Sequence, residues 1–323
     1  MKFLNALQKG DTGRKSDVVT TDETEVEAVS SQNGRSSGPQ LTAIGAPKSS
    51  AGRPDVLVAD ESVSASREAL LSVKPSGLDA AFLARVPTVT INPDHVNPHL
   101  VAITSPTTGY CEEYRNLRTQ LFLASHKQRL QSIVISSVAP AEGKSVTALN
   151  LAWLFAQTEG VTALVIDTDL RRPSLAKYLG LEVERGMSQV LDGTEAFEDA
   201  IIRLQPSGLF LLPGGGQRRD VAELVSGPVF KSVMRKAHEM FDFVIIDAPP
   251  LGVFTDATVL MDQADGALLV VRANKTKFSD VGRILESVPS ERMLGVVLNA
   301  SEDTLISQDY YDHYYSSMPQ LTD

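Results

Sequence analysis

The strongest chemical signal in the sequence is the loop "SVAPAEGKSVT", which follows the apolar run "SIVIS" and opens the helical pattern "SVTALNLAWLFAQT". Backbone N–H groups at the start of a helix bind phosphate, and a loop ending in Gly-Lys-Ser is typical of nucleotide sites. In that geometry Lys144 would contact the β- and γ-phosphate oxygens, and the Ser145 hydroxyl would bind Mg²⁺. The predicted nucleotide-binding residues are Pro140, Ala141, Glu142, Gly143, Lys144, Ser145 and Val146.

This loop departs from the full phosphate-binding pattern at one position. The pattern has a glycine five residues before Gly143, where this chain has Val138. An ordinary strand-to-helix turn is therefore the alternative interpretation of this motif taken alone.

Carboxylates follow two other apolar runs. In "LVIDTDLRRP", Asp167 and Asp169 follow the apolar run and precede Arg171. In "FDFVIID", Asp247 is the last residue. In an open α/β sheet, ligands bind at the carboxyl ends of the strands. One carboxylate of the pair could hold Mg²⁺ through water while the other accepts a proton, and Asp247 would help to position the metal. Capping and solvated charge would explain one aspartate but not the set, so we predict a nucleotide site.

Short apolar runs alternate with helical patterns along most of the chain. The predicted strands are "SIVIS", "TALVID", "GLFLLPG", "DFVIID", "GALLVV" and "GVVLN". Runs that are apolar almost throughout are typical of strands covered on both faces, and intervening helices imply a parallel sheet. We predict an α/β fold, a doubly wound and mostly parallel sheet with helices on both faces. An amphipathic helix, "EEYRNLRTQLFLA", precedes it.

Composition limits the classes of function. The chain has 323 residues, a net charge of −10 and a single cysteine. The negative charge argues against nucleic-acid binding, and one cysteine excludes an internal disulfide and fits a reducing cytoplasm. No apolar run approaches the roughly 18 residues of a membrane span, and no signal peptide is evident. We expect a soluble cytoplasmic protein.

The two ends of the chain differ from its middle. Residues 1–88 are polar and are predicted to be mostly disordered; residues 89–300 form the α/β domain, and residues 301–323 form a flexible tail. Within the first region, "MKFLNALQKG" is interpreted as a frayed arm or as a short helix touching a membrane. "REALLSVKPSGLDAAFLARV" could form one or two docking helices.

The three motifs together resemble one family. "APAEGKS", "VIDTDLRRP" and "VIIDAPP" are similar to the Walker A, Walker A′ and Walker B motifs of the bacterial tyrosine kinases (BY-kinases) of capsule and exopolysaccharide synthesis. The resemblance covers roughly residues 101–315 and implies a P-loop NTPase-like fold and a protein-tyrosine kinase that uses ATP and Mg²⁺. It implies five catalytic residues: Lys144, Asp167, Asp169, Arg171 and Asp247.

The resemblance also assigns roles to these residues. Ser145, Asp167 and Asp247 would hold the metal, and Asp169 would accept the tyrosine proton. Arg171 would stabilise developing charge or pair with Asp169. The segment "LLPGGGQRRDVAELV" departs from the family pattern, so contacts to the nucleotide base are assigned no further than Arg272 or Asn274.

Partners are implied by the same resemblance. Glu112, Arg115 and Arg118 match an E-x-x-R-x-x-R pattern that serves ring-like self-association; an intrahelical Glu112–Arg115 ion pair is the alternative. The family's fused transmembrane activator is absent from the chain. We therefore expect a stand-alone kinase, recruited to the inner face of the membrane by a separate polysaccharide co-polymerase, with other tyrosine proteins as substrates.

The tail "YYDHYY" holds four of the seven tyrosines and distinguishes the kinase from its alternative. That alternative is an ATPase switch of the MinD/ParA type, which shares the fold but carries an extra lysine where this chain has Ala139, and which more often ends in a basic amphipathic helix. No Lys or Arg follows Arg292 here. The predicted phosphorylation sites are Tyr310, Tyr311, Tyr314 and Tyr315.

Overall fold

The structure, a computed structural model, describes residues 2–5 and 77–301. In these residues the strands are β1 (Lys2–Asn5), β2 (Thr88–Thr90), β3 (Ser132–Ser137), β4 (Ala163–Asp167), β5 (Ile202–Gln205), β6 (Leu209–Leu212), β7 (Phe243–Asp247), β8 (Gly266–Arg272) and β9 (Met293–Asn299). They form one sheet in the order β1-β9-β8-β3-β7-β4-β6-β5-β2. The pairings from β9 through β6 are all parallel.

Helices cover the sheet. They are α1 (Ala80–Arg85), α2 (Val101–Thr104), α3 (Gly109–Lys127), α4 (Lys144–Ala156), α5 (Leu175–Tyr178), α6 (Met187–Leu191), α7 (Val221–Ser226), α8 (Pro228–Met240), α9 (Asp256–Asp262) and α10 (Phe278–Ser287). Short 3₁₀ turns lie at Pro93–His95 and Ser290–Arg292. No helix in the described part of the chain has the length and apolar character needed to cross a bilayer.

Two apolar cores lie on opposite faces of the sheet because strand side chains alternate. Ile133 and Ile135 of β3 pack with α3 and α4, whereas Val134 between them packs with α8 and α9. Every residue of β3, β4 and β7 is buried, which explains their continuous apolar character. The predicted α/β class, with a mostly parallel sheet and helices on both faces, is confirmed.

The central strands follow the sequence prediction and the edge strands do not. All six predicted strands form, but β1, β2 and β5 were not predicted; β1 and β5 run antiparallel to β9 and β6 respectively. These three segments are only three or four residues long. Strand β6 is equally short but apolar throughout, whereas these three segments contain polar residues and show no apolar run.

The N-terminal region contributes to the fold at both of its described segments. Lys2–Asn5 is a strand, so these four residues form neither the frayed arm nor the membrane-touching helix expected for "MKFLNALQKG", whose other residues lie outside the described part of the chain. Of the expected docking helices, α1 is present, and its buried Phe82 contacts the ring of Phe210 at 5.9 Å between centroids. The preceding "REALLSVKPS" and the tyrosine tail lie outside the described residues, and the domain boundary at residue 88 stays a prediction.

Two helices position the phosphate loop. The sequence predicted α3 and α4, and α3 buries Tyr114, Leu117 and Leu121 against its neighbours. Helix α4 is buried over nearly all of its surface because it lies between α3 and the sheet. Its last turn carries Phe155, which stacks on Phe243 of β7 with ring centroids 4.2 Å apart.

We predict that Phe155→Ala destabilises the fold by about 3–5 kcal/mol, the usual cost of removing a fully buried aromatic ring. Urea unfolding followed by circular dichroism measures this change. Phe278→Ala removes the same atoms from a side chain that is 90% exposed and serves as the matched control. Equal unfolding midpoints for the two variants would contradict the packing described for α4.

Candidate active site

The carboxyl ends of three neighbouring strands form the centre of the site. Strand β7 pairs in parallel with β3 on one side and β4 on the other, and Asp167 lies opposite Asp247 in the register. The loop after β3 is the predicted phosphate loop. The topology therefore brings together the three motifs that are far apart in the sequence.

The phosphate loop turns into α4 at Gly143, which has a φ of 97°. A side chain there would be strained, and a Cβ would lie 2.0 Å from Nδ2 of Asn299. The first turn of α4 presents N–H groups that have no partner within the helix. These donors, together with the positive end of the helix dipole, favour a bound phosphate.

Lys144, the first residue of α4, lies among carboxylates. Its Nζ is 2.8 Å from Oδ2 of Asp169 and 3.4 Å from Oδ1 of Asp247. Burial lowers the pKa of Lys144, but the Asp247 and Asp169 carboxylates more than compensate, and the pKa is raised above its ordinary value. The ammonium is therefore charged at neutral pH and neutralises part of the acidic cluster.

Asp167 is fully buried beside Asp247. Its Oδ2 accepts hydrogen bonds from the N–H groups of Ser174 (2.9 Å) and Leu175 (3.0 Å), where α5 begins. Burial and the neighbouring Asp247 raise the pKa of Asp167 to about 7, although these N–H groups and Lys144 oppose the shift. Burial likewise raises the pKa of Asp247.

Two carboxylate oxygens at this point are buried without a hydrogen-bond partner, Oδ1 of Asp167 and Oδ2 of Asp247. The Ser145 hydroxyl lies 3.3 Å from the hydroxyl of Ser174, whose N–H binds Asp167. Mg²⁺ binds through one or two carboxylates together with water and substrate phosphates, so these residues fit it. In residues 77–301 and 2–5 no group of three or more His, Cys, Asp or Glu forms an all-protein metal site.

A cavity of about 830 Å³ opens beside Asp167, large enough for a nucleotide-sized ligand. It is lined by Pro173, Ser174, Gly214 and Gly215 among others. A Cβ on Gly214 would lie 2.7 Å from Cβ of Pro173, so the loop after β6 closely approaches the loop after β4. Gly214 and Gly215 of the "PGGG" segment thus form one wall of this cavity.

Arg171 binds a residue that the sequence did not indicate. Its Nε and Nη2 donate to the carboxylate of Asp256 at 2.7 and 3.3 Å, and its guanidinium lies 4.4 Å from the Phe254 ring centroid. Asp256 is the buried first residue of α9. The expected alternative, an Arg171–Asp169 pair, does not form because Asp169 pairs with Lys144. No local motif marks Asp256, since only the tertiary fold places it there.

The predicted oligomerisation residues share α3 but make contacts within the chain. Arg115 and Glu112 form the intrahelical ion pair expected as the alternative. Arg118 donates to the carbonyl of Leu154 near the end of α4, at 3.2 Å. Their use between subunits stays a prediction.

The carboxyl ends of β8 and β9, and the loop after β8, contact the phosphate loop. The sequence did not predict these contacts. Asn299 donates to the Glu142 carbonyl at 2.9 Å, and Thr276 donates to the Glu142 carboxylate. Arg272, one of two residues expected to face a nucleotide base, lies 3.4 Å from the Ala141 carbonyl. A polar residue directly after an apolar strand, as in "GVVLN", was the available signal for Asn299.

Comparisons with known proteins agree with this geometry. The AAA domain family matches residues 130–292. The tyrosine-protein kinase YwqD of Bacillus subtilis (strain 168) is 34% identical over 218 residues, which are 67% of this chain and 91% of the relative. The chain belongs to the bacterial tyrosine kinase family. Its predicted P-loop NTPase-like fold and its class as a tyrosine kinase are thereby confirmed.

The chain is also similar to a longer protein and to two solved structures. The succinoglycan biosynthesis transport protein ExoP of Rhizobium meliloti (strain 1021) is 32% identical over 209 residues, 62% of this chain but only 26% of its own length. The chimerical protein CapA2B2 superposes with a TM-score of 0.60 at 27% identity, covering 68% of this chain and 94% of the other. The kinase domain of VpsO gives 0.53 at 30% identity, over 57% and 91%.

We predict that Asp167→Asn stabilises the nucleotide-free protein by about 1–2 kcal/mol at pH 8, because it removes a buried charge repelled by Asp247. Because its pKa is raised, Asp167 keeps its proton at pH 5 in the folded state but loses it in the unfolded chain. The free energy of unfolding therefore falls as pH rises from about 4 to 7. The gain should therefore fall at pH 5 to about a third of its value at pH 8. Urea unfolding at both pH values measures it.

The control is Asp94→Asn, which changes the same group at an exposed position. This variant should change the free energy of unfolding by no more than about 0.5 kcal/mol at either pH. A loss of stability in Asp167→Asn at pH 8 would contradict the charge repulsion described here.

Proposed function

We propose that the chain is an ATP- and Mg²⁺-dependent protein-tyrosine autokinase that phosphorylates its own C-terminal tyrosines and regulates the polymerisation and export of capsule or exopolysaccharide. The observation that carries the proposal is the position of Lys144. Its ammonium lies at the start of α4 between Asp169 and Asp247. This arrangement suits phosphoryl transfer, which depends on positioning and charge neutralisation.

The nucleotide phosphates would bind residues 140–146. Lys144 would contact the γ-phosphate, and the N–H groups of the first turn of α4 would hold the remaining oxygens. Ser145, Asp167 and Asp247 would hold Mg²⁺, since two unpartnered carboxylate oxygens and a hydroxyl meet there. When bound, Mg²⁺ supplies further neutralisation of phosphate charge.

Asp169 is the proposed proton acceptor. Its Oδ2 is engaged by Lys144 at 2.8 Å, so movement of the ammonium to a phosphate oxygen would free this carboxylate. The tyrosine hydroxyl would transfer its proton to Asp169 while its oxygen bonds to the γ-phosphorus. The bond from that phosphorus to the bridging oxygen would break, leaving ADP. Arg171, held by Asp256, would act by fixing the loop that follows β7.

The acceptor would be the tail of a neighbouring copy, presented in a ring-like oligomer. Its tyrosines are Tyr310, Tyr311, Tyr314 and Tyr315. Each phosphate adds about −1.5 to −2 charges to an acidic segment, which would expel the tail from the acidic site and loosen the ring. Helix α3, with Glu112, Arg115 and Arg118, is the proposed contact between copies.

The names of the relatives support a proposed setting in polysaccharide export. ExoP is named a succinoglycan biosynthesis transport protein, and the match to this chain covers 26% of the length of ExoP. We propose that a separate membrane-bound polysaccharide co-polymerase activates this kinase and recruits it from the cytoplasm to the membrane. Other tyrosine proteins of the same machinery would be further substrates.

We predict that the full chain incubated with Mg-ATP acquires phosphate on the tail tyrosines, and that Lys144→Met lowers this at least a hundredfold because the γ-phosphate loses its cation. Phosphotyrosine detection and mass mapping measure the sites. Lys231→Met, an exposed lysine on α8, is the matched control and should retain activity.

One experimental result would favour the switch ATPase over the kinase as the function of this chain. ATP hydrolysis that Lys144→Met abolishes, with no phosphotyrosine even when membranes from the source cells are added, favours a MinD/ParA-like function. Membranes belong in the assay because they would contain the proposed membrane-bound activator.

We predict that the double variant Glu112→Ala and Arg115→Ala lowers the oligomer mass without changing Mg-ADP affinity, since α3 lies apart from the phosphate contacts. Light scattering after size exclusion measures the mass. Arg235→Ala with Glu239→Ala removes an exposed ion pair within a different helix, α8, and is the control. Equal oligomer masses for both double variants would exclude α3 as the contact.

A further inference from the structure

The phosphate loop adopts a conformation that its own sequence does not favour. Val138 replaces the early glycine of the usual pattern, and Ala141 has a φ of 64°. A residue with a Cβ is disfavoured in this left-handed region, where glycine is not. Contacts from outside the loop must therefore help to hold its shape.

Glu142 makes the internal contact that closes the loop. Its side chain is almost fully buried, with 2% exposure, although glutamate is rarely buried without partners. Its Oε2 accepts a hydrogen bond from the N–H of Ala139 at 2.9 Å. The carboxylate thus joins the two ends of the turn that precedes Gly143.

Thr276, in the loop between β8 and α10, supplies the external contact. Its hydroxyl oxygen accepts a hydrogen bond from the N–H of Arg272 at 2.9 Å. The hydroxyl proton is therefore free to point away from Arg272, and it is donated to Oε1 of Glu142. Both carboxylate oxygens of Glu142 therefore have donors. The chain of hydrogen bonds runs from Arg272 through Thr276 and Glu142 to Ala139.

We propose that Glu142 and Thr276 are positioning residues that hold the phosphate loop in its nucleotide-binding shape from the β8–α10 loop. Neither side chain is placed against the phosphates, since both of their polar ends bind protein groups. They act through the backbone of Ala139 to Lys144, whose N–H groups must converge on the phosphates. This inference rests on the proposed nucleotide-binding function.

The hydroxyl of Thr276 can be removed with little change of shape. Thr276→Val leaves Oε1 of Glu142 without its donor, and Thr276→Ser restores a hydroxyl. Glu142→Gln keeps the side-chain size but replaces one acceptor oxygen by an NH₂ group, which only donates, so one of the two donors, Ala139 or Thr276, loses its acceptor. Thr158→Val removes a hydroxyl that bonds the Leu154 carbonyl at the far end of α4 and is the matched control.

The experiment measures the Kd for fluorescent Mg-ADP and the unfolding free energy without nucleotide for each variant of the full chain. We expect Thr276→Val and Glu142→Gln to weaken nucleotide binding about tenfold, the effect of losing one hydrogen bond to a charged group. Thr276→Ser and Thr158→Val should bind within about twofold of the unaltered chain. The double variant Thr276→Val with Glu142→Gln should lose less than the sum of the two single losses in binding free energy, because both variants remove the same contact.

A purely structural role gives a different pattern. Lower unfolding free energies in Thr276→Val and Glu142→Gln, with nucleotide affinities equal to that of the unaltered chain, would overturn the inference. If Thr276→Val does not fold, the Glu142→Gln affinity decides alone. If the unaltered chain binds no Mg-ADP, the proposed function and this inference both fail. If the unaltered chain and the Thr276 and Glu142 variants bind Mg-ADP equally well, the proposed function stands and this inference fails.

Discussion

The site depends on one electrostatic constraint, the burial of three aspartates around a single lysine. Asp167, Asp169 and Asp247 are each less than a tenth exposed, and Lys144 contacts two of them. Separating a buried charge from water is costly unless a partner compensates. One ammonium cannot satisfy three carboxylates, so the arrangement is complete only when further positive charge is present. The surrounding structure serves to keep these groups together despite their repulsion.

The parallel sheet meets that requirement because it fixes the ends of three strands side by side. Backbone pairing sets Asp167 opposite Asp247, and helix α4 starts where β3 ends. The N–H groups of Ser174 and Leu175 hold one oxygen of Asp167. A rigid sheet with buried faces can support such repulsion, whereas a set of flexible loops would relax it.

The sequence predicted the parts of the site that local chemistry marks. A strand, a glycine and a lysine at a helix start are recognisable in one stretch of chain, and so are aspartates after apolar runs. The partners Asp256 and Thr276 could not be predicted, because their roles arise from contacts between segments far apart in the sequence. Arg171 shows the limit: its motif was evident, but its partner Asp256 is the first residue of helix α9. The edge strands were missed for a related reason, since their pairing depends on neighbours more than on their own residues.

Strand β1 has a consequence for how the sheet is completed during folding. It pairs antiparallel with β9, and the two strands are separated by most of the chain. Contacts between such distant segments require a long loop to close first, so they form late in folding. Until then β9 presents unpaired N–H and C=O groups along an open edge, which can pair with a strand of another copy. Pairing with Lys2–Asn5 replaces the edge of β9, seven residues long, by the four-residue edge of β1, and short edge strands pair less readily with another chain.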